Sequence, residues 1–238
     1  MGKQEGVEDA EGRGMVIVSV IKYIRERRPN GFLLENSDGL AKKFIVTLEV
    51  IISLLRKIEG YKVGWRVMNS KTHGSVQNRS RVYIVGFQAR LESRLKRFVW
   101  PGECERPPLS SIINSRAKTP LHKMESVINN MPPYRQKAMT TLIEKLEIVG
   151  GKIGDPYVGD ISTSHKFGPS LMYDCLPCVT RTRGSMGGFF LFKEFRMTDQ
   201  EELEAAQGIP TKRFILPQKV NSMDRPCTCA FTKSIPHP

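Results

Sequence analysis

The sequence predicts an α/β fold in which part of a doubly wound, Rossmann-like sheet precedes a largely irregular region. Over residues 15–88 the apolar residues recur in the order helix, strand, helix, strand, loop, strand. The last two strands lie close enough along the chain to form an antiparallel hairpin. From about Trp100 onward, prolines interrupt a stretch with little strand signal. This pattern indicates the second half of a doubly wound sheet rather than a whole one.

Each element of the first half has its own signal in the sequence. Residues 1–14 carry no apolar period and are expected to be disordered. The expected elements after them are a helix over 15–27, a strand over 32–36, a helix over 42–59, and strands over 61–68 and 81–88. Ile45 begins an apolar stripe along the second helix, and Gly60 follows that helix as a C-cap.

The second half contains two expected helices among loops and short strands. The first covers residues 134–149 and ends at a pair of glycines. The second covers residues 198–207, with Thr198 as its N-cap and Glu201 at the third position of a capping box. Beyond Lys212 the sequence predicts no reliable element.

The composition favours a reducing compartment and a polyanionic partner. The 238 residues are 39% apolar, which suffices for a packed core, and no apolar run is long enough for a transmembrane helix. The five cysteines are odd in number, and the polar start of the chain is unlike a secretory signal. We therefore expect an intracellular protein, nuclear in a eukaryote and cytoplasmic otherwise. The formal net charge of +13 suggests binding to phosphate backbones, with simple solubility as the alternative.

A carboxylate and an amide, Glu35 and Asn36, come at the carboxyl end of the strand expected over 32–36. Open α/β sheets bind their ligands at that end of their strands. On position alone, Glu35 is either half of a structural ion pair or a group directed at a substrate, and both alternatives stay open.

Two arginines, Arg79 and Arg81, stand two residues apart where the strand over 81–88 begins. On a strand, this spacing places both guanidinium groups on one face, where they suit the binding of carboxylate or phosphate. The alternative interpretation is the solvated face of an edge strand.

These two segments, taken together and in this order, resemble the cytosine-C5 DNA methyltransferase family. Glu35 and Asn36 match the family's ENV motif, with Ser37 in the place where valine is usual. The family's QxRxR motif is matched by Gln77, Arg79 and Arg81. The segment over 196–210 is similar to the ninth motif of the family, usually written R-x-x-T-x-x-E-x-x-x-x-Q-G-F-P, with Glu201 or Glu202 at its acidic position. The resemblance covers about residues 15–90 and 160–210.

The resemblance implies a chemistry for these residues. In this family a cysteine thiolate attacks cytosine C6, and a methyl group passes from S-adenosylmethionine to C5 of a base flipped out of DNA. The implied catalytic residues are Glu35, Arg79 and Arg81. The implied substrate-binding residues are Asn36, Gln77, Arg181 and Arg183. No residue is assigned to the cofactor, and no metal is expected.

The resemblance also implies a division of the chain. Residues 15–99 would form the second half of the catalytic domain, and residues 100–195 the target-recognition region. Residues 196–212 would form the helix of the ninth motif, and residues 213–238 an irregular tail.

Two motifs of the family have no counterpart before Glu35. The glycine-rich cofactor turn and the Pro-Cys-Gln of the nucleophile precede ENV in the family, and neither occurs in the 34 residues before Glu35. We therefore expect a middle-to-late fragment that is inactive as this chain alone. The alternatives are a non-catalytic nucleic-acid-binding module and one half of a split methyltransferase completed by a separate chain. An RNA substrate also stays open.

The cysteines suggest two further sites, and we favour neither. Pro177-Cys178 follows the QxRxR motif, which is the wrong order for the nucleophile of the family. Cys175 and Cys178 could bind zinc together with Cys227 and Cys229, but about fifty residues separate the two pairs and the spacing of the second is unusual. Ordinary reduced cysteines are the preferred interpretation.

Overall fold

The computed structural model describes residues 15–91, 98–114, 123–162, 168–180 and 188–209. The chain divides into two compact units: unit 1 contains residues up to 69 together with 80–102, and unit 2 contains residues 70–79 together with those from 103 onward. The segment expected to be disordered (1–14) and the expected irregular tail (213–238) lie outside the described residues.

The described chain mixes helices and strands, as the sequence predicts. The helices are α1 (Val16–Arg27), α2 (Gly39–Lys42), α3 (Ile45–Arg56), α4 (Met124–Asn129), α5 (Pro133–Ile148) and α6 (Gln200–Ala206). The strands are β1 (Gly31–Ser37), β2 (Tyr61–Asn69), β3 (Gln77–Asn78), β4 (Ser80–Gln88), β5 (Tyr157–Gly159), β6 (Leu171–Tyr173), β7 (Leu176–Pro177), β8 (Phe190–Leu191) and β9 (Arg196–Met197). None of the described helices is long and apolar enough to cross a membrane.

The sheet of unit 1 has the order β1-β4-β2, and β4 runs antiparallel to both neighbours. The predicted hairpin between the last two strands is therefore confirmed, and β4 also pairs with β1. One face of the sheet packs on α1 and α3, where Ile24, Leu48 and Leu55 meet Val82 and Ile84 of β4 in a buried cluster. Alternate residues of β4 point to the opposite face.

A close approach of side chain and backbone holds β1 against β4. Phe32 lies directly opposite Gly86, and a Cβ atom at Gly86 would stand 2.1 Å from Cζ of the Phe32 ring. The ring therefore covers the glycine backbone and packs on Tyr61, with 5.8 Å between the ring centroids.

The single helix predicted over 42–59 is wrong in its extent. Helix α2 ends at Lys42 and only α3 lies within this stretch, because Phe44 leaves the helical conformation at φ −125° and ψ 42°. The amides of Lys43 and Phe44 both donate to the carbonyl of Gly39, which ends α2 before α3 begins. Ile45, the first residue of the predicted stripe, is 40% exposed as a consequence, whereas Leu48 and Leu55 are fully buried.

Unit 2 is built on a small sheet of the order β6-β5-β8-β9 and on the parallel pair β3-β7. The long helix α5 buries Met139 and Leu142 in a cluster with Phe190, Phe192 and Phe195. The strands of this unit contain only two or three residues. Because such strands are too short to show an alternating pattern, the sequence could predict little more than an irregular region here.

The start of α6 corrects the predicted capping box by one residue. Asp199, not Thr198, is the N-cap, and Glu202, not Glu201, stands at the third position of the box. Thr198 instead accepts a hydrogen bond from the Phe189 amide at 2.9 Å.

The carboxylate of Glu202 also binds a guanidinium group. Its Oε1 and Oε2 accept from Nη2 and Nη1 of Arg196 at 2.6 and 3.0 Å, and Glu202 is fully buried. The same carboxylate accepts from the amides of Asp199 and Asn114, each at 2.9 Å. This network joins α6 to β9 and to the loop at Asn114.

The contact between Phe32 and Gly86 predicts a loss of stability in Gly86→Ala. The new methyl group would force the Phe32 ring away from Tyr61, at a cost of about 1–3 kcal/mol in the free energy of unfolding. Urea denaturation measures this difference. Gly64→Ala is the matched control, since Gly64 lies in the same sheet and a Cβ there meets no atom within 4 Å. Equal stability of the two variants would contradict the described contact.

The Glu202 network predicts that Glu202→Gln lowers the free energy of unfolding by about 3 kcal/mol, because Arg196 then lacks its carboxylate in a largely buried site. Glu201→Gln is the control, because Glu201 is exposed on the same helix and its replacement is expected to change stability by less than about 0.5 kcal/mol. If urea denaturation showed a larger loss of stability in Glu201→Gln than in Glu202→Gln, Glu201 would be the acidic residue of the capping box, as the sequence predicts.

Candidate functional site

The carboxylate of Glu35 forms an ion pair with Arg81. Glu35 lies opposite Tyr83 in the register of β1 and β4, and Arg81 lies opposite Ser37, so the two side chains are diagonal neighbours across the strands. Nε of Arg81 stands 2.7 Å from Oε1 of Glu35, and Nη1 of Arg81 donates to the Ser80 carbonyl at 2.7 Å. Glu35 retains 44% side-chain exposure while Arg81 has 16%. The guanidinium is therefore fixed, and the carboxylate it holds stays accessible.

A second pair of charges lies just beyond the end of β1. Lys42 donates to Oδ2 of Asp38 at 2.6 Å. This hydrogen bond lowers the pKa of Asp38, and the positive charges of Lys42 and Arg81 add to the effect while burial opposes it. Glu35 and Asp38 are thus balanced by Arg81 and Lys42. Sequence reasoning did not single out Asp38, although its spacing of four residues from Lys42 is the signal that could have found it.

Asn36 is held locally. Its Oδ1 accepts a hydrogen bond from the Ser37 amide at 2.7 Å. This contact ties the amide side chain to the backbone at the end of β1 and leaves Asn36 an exposed residue.

The prediction that Arg79 and Arg81 share one strand face is wrong. Strand β4 begins at Ser80, and Arg79 stands between β3 and β4, which pair in different sheets. Arg79 belongs to unit 2, where its amide donates to Oγ of Ser70 at 3.2 Å and its Nη1 contacts Sγ of Cys178 at 3.3 Å. The alternation of polar and apolar residues could not reveal this break, because residues 77–81 are all polar and lead directly into the strand.

Gln77 is buried beside Arg79 in unit 2. It is 3% exposed, and it lies opposite Leu176 in the parallel pair β3-β7. Its backbone is fixed by two serines: the amide donates to Oγ of Ser75 at 3.1 Å, and the carbonyl accepts from Oγ of Ser70 at 2.6 Å. Gln77 and Arg79 both line a cavity of about 450 Å³.

The remaining candidates are the two other predicted arginines and the cysteines. Arg181, Arg183, Cys227 and Cys229 lie outside the described residues. Cys175 is buried, and this burial raises the pKa of its thiol. Within the described ranges, no group of three or more histidine, cysteine, aspartate or glutamate residues is arranged to hold a metal ion.

The family model for C-5 cytosine-specific DNA methylases matches residues 1–167 of the chain. Curated relatives support the same assignment. The type II methyltransferase M.BanI of Aneurinibacillus aneurinilyticus is 44% identical over 86 residues, which cover 36% of this chain and 19% of that protein. M.HpaII of Haemophilus parainfluenzae is 42% identical over 88 residues, covering 36% and 24%. M.NlaIV of Neisseria lactamica is 39% identical over 93 residues, covering 36% and 21%.

The matched part of the chain thus spans about a fifth of the length of these relatives. Among solved structures, a mutant of DNMT2 from Spodoptera frugiperda superposes with a TM-score of 0.45 at 16% identity, covering 87% of this chain and 63% of that chain.

The exposure of Glu35 predicts that its ion pair with Arg81 adds little to stability. In a double-mutant cycle of Glu35→Gln and Arg81→Gln, the coupling in the free energy of unfolding is expected to stay below about 1 kcal/mol. Urea denaturation of the four proteins measures it. A coupling well above that value would make the pair structural, and it would remove the reason to regard the carboxylate as available to a ligand.

Proposed function

The chain belongs to the C-5 cytosine-specific DNA methylase family, and on this premise we propose that it contributes to the transfer of a methyl group from S-adenosylmethionine to C5 of cytosine in DNA. The observation that carries the proposal is the accessible Glu35 carboxylate held by Arg81 at 2.7 Å at the end of β1. Glu35 comes from the ENV motif and Arg81 from the QxRxR motif, and the contact between them supports a shared role at one site.

Glu35 is proposed to bind the target cytosine. Its carboxyl group would contact N3 and the exocyclic amine of the base, which are polar groups that a half-exposed carboxyl can reach. When a thiolate adds to C6, negative charge develops on the ring, and a hydrogen-bonded carboxyl group at N3 stabilises that charge. Arg81 fixes the position of Glu35 before the base arrives, so that little reorganisation is needed during the reaction.

The arginines and amides of the two motifs are proposed to hold the substrate. Arg81 and Arg79 would bind the flipped base and a neighbouring phosphate, since a guanidinium group offers paired donors to either. The remaining proposed substrate-binding residues are Asn36, Gln77, Arg181 and Arg183. The target base must leave the duplex, because C5 and C6 cannot be reached within the base stack.

The rest of the chain would recognise the DNA. We assign residues 15–99 to the second half of the catalytic domain and residues 100–195 to target recognition, where basic loops would contact phosphates and base edges. Residues 196–212 correspond to the ninth motif. This substrate implies a location inside the cell, with the chromosome.

Most of the S-adenosylmethionine site is proposed to lie outside these 238 residues, since the glycine-rich turn of the family is absent before Glu35. Ligands of open α/β sheets lie outside the carboxyl ends of the strands. The cavity of about 440 Å³ in unit 1 instead lies along α3, between Glu49, Arg56, Lys57 and Trp65. We therefore assign no residue of this chain to the cofactor.

The methyl-donor site and the nucleophile are therefore proposed to come from residues other than these 238, in the same polypeptide or in a second one. The first cysteine of the chain is Cys104, which follows both the ENV and QxRxR motifs. We propose that the 238 residues alone do not transfer methyl groups; one half of a split methyltransferase completed by a separate chain is an alternative to a fragment of a longer enzyme. A non-catalytic nucleic-acid-binding module is the second candidate, favoured by the net charge of +13.

Complementation separates these roles. The purified chain is incubated with duplex DNA and labelled S-adenosylmethionine, alone and together with the amino-terminal part of a type II relative that carries the cofactor turn and the nucleophile. We expect incorporation of label only in the mixture, and its loss in Glu35→Ala. Glu59→Ala is the control, because Glu59 is exposed in unit 1 and lies outside both motifs.

Two results would contradict the proposal. Transfer by the chain alone above the Glu35→Ala background would show that it needs no residues beyond these 238. Salt-sensitive duplex binding without any transfer in the mixture would favour the binding module instead.

A further inference from the structure

The cavity of about 440 Å³ in unit 1, which we call the Trp65 cavity, lies between α3 and β2, the strand at one edge of the described sheet. Its wall is formed by Glu49, Ile52, Ser53, Arg56, Lys57 and Trp65. The four of these residues that belong to α3 are spaced three, four and seven positions apart, so they share one face of the helix. The volume falls within the range of pockets that bind small molecules.

Trp65 gives the Trp65 cavity a flat apolar wall. The indole ring is partly buried and packs against the core cluster of unit 1, which fixes its position. Ile52 continues the apolar wall from α3 and is 3% exposed. A fixed indole ring at the side of a cavity is a stacking surface for another flat ring, since such rings pack face to face or edge to face.

Three charged side chains border the same cavity. Arg56 and Lys57 stand at the end of α3, and Glu49 stands two turns before them. Nε of Arg56 donates to the Val63 carbonyl at 3.4 Å, and within the described ranges neither Glu49 nor Lys57 makes a side-chain hydrogen bond or ion pair. The helix dipole alone accounts for basic residues at the carboxyl end of α3. It does not account for a tryptophan and an acceptor carboxylate in the same cavity.

The arrangement of these groups narrows the class of ligand. Two adjacent cations suit a phosphate, the indole ring suits a flat ring, and the Glu49 carboxylate accepts hydrogen bonds from an amine. The helix rise places Glu49 and Arg56 about 10 Å apart along α3. A ligand that meets both must therefore be extended, with an amine-bearing ring at one end and a phosphate at the other. A nucleoside phosphate has these parts in this order.

We propose that the Trp65 cavity binds a nucleoside phosphate, with its base on the Trp65 ring and its phosphate on Arg56 and Lys57. The site goes beyond the proposed function and does not rest on it, because none of its residues belongs to the ENV, QxRxR or ninth motif. Trp65 lies on the sheet face that packs on α3, whereas Glu35 and Arg81 alternate with the core residues of their strands and point to the opposite face. The two sites therefore bind their ligands on different faces of one sheet.

The test uses the fluorescence of Trp65 in the full chain. The sequence contains two tryptophans, so Trp100→Phe leaves Trp65 as the only one. The probes are deoxyadenosine 5′-monophosphate, deoxyadenosine, which lacks the phosphate, and 2-deoxyribose 5-phosphate, which lacks the base. We expect saturable quenching by the nucleotide, about tenfold weaker binding of the nucleoside, and no quenching by the sugar phosphate. No saturable quenching by the nucleotide, or equal binding of nucleotide and nucleoside, would overturn the proposal.

The two cations are tested by substitution in the same background. Arg56→Gln and Lys57→Gln are each expected to bind the nucleotide about tenfold more weakly, because each loses a charged donor to the phosphate. Both side chains are exposed, so the melting temperature should not change. Arg66→Gln is the matched control, since Arg66 is exposed next to Trp65 on β2 and points to the other face of the sheet. An equal loss of affinity in Arg66→Gln would show general attraction by the basic surface and overturn the proposal.

Two further ligands identify the source of the nucleotide. If single-stranded oligodeoxyadenylate binds more tightly than the mononucleotide and loses this advantage in Arg56→Gln, the ligand is a DNA strand; equal or weaker binding assigns the site to a free nucleotide. Polyglutamate carries negative charge without a flat ring and is expected not to displace the nucleotide. Displacement by polyglutamate would make the cavity a site for an acidic peptide and overturn the proposal. None of these readouts depends on methyl transfer, so this inference and the proposed function fail separately.

Discussion

The ion pair between Glu35 and Arg81 is the interaction on which the account of this protein depends. It needs three adjacent features: a strand that ends in a carboxylate, an antiparallel neighbour, and a register that makes the two charged residues diagonal neighbours. The side chains meet at 2.7 Å, yet Glu35 keeps 44% exposure. The pair of Arg196 and Glu202, whose carboxylate is fully buried, holds elements together, whereas the half-exposed carboxylate of Glu35 has a fixed partner and stays accessible to solvent. The Phe32 ring on Gly86 secures the same two strands a few residues away.

The two arginines of the QxRxR pattern have different structural settings. Arg81 lies inside β4 of unit 1, and Arg79 lies before it, in the connection that belongs to unit 2. Each arginine therefore has its own neighbours: Glu35 for the first, Cys178 and Ser70 for the second. A short motif can thus serve two parts of a molecule at once. Gln77 and Arg79 thus belong to one unit and Arg81 to the other.

The sequence predicted most elements of the first half and the long helix α5 well, and the short strands of the second half poorly, for a physical reason in each case. Long periodic segments such as α1 and β4 bury one face, and their patterns therefore reveal them. The break at Phe44 has no such signal, because both α2 and α3 continue an apolar stripe. At the start of α6, Thr198 with Glu201 and Asp199 with Glu202 are both valid capping boxes, and only the burial of Glu202 against Arg196 decides between them. The burial of Gln77 could not be predicted at all, since it depends on β7, a strand of two residues distant in sequence.

The central claim is that Glu35 and Arg81 receive a cytosine that has left the duplex. It is tested most directly by comparing the affinity of the chain for two duplexes that differ only in whether one cytosine is paired or mismatched. Enzymes that flip a base bind more tightly when the base is already unpaired, because less pairing energy is lost. The account predicts tighter binding to the mismatched duplex and the loss of this preference in Glu35→Gln, with overall affinity for paired DNA retained. An equal preference in both proteins would contradict the assignment of Glu35 to the base.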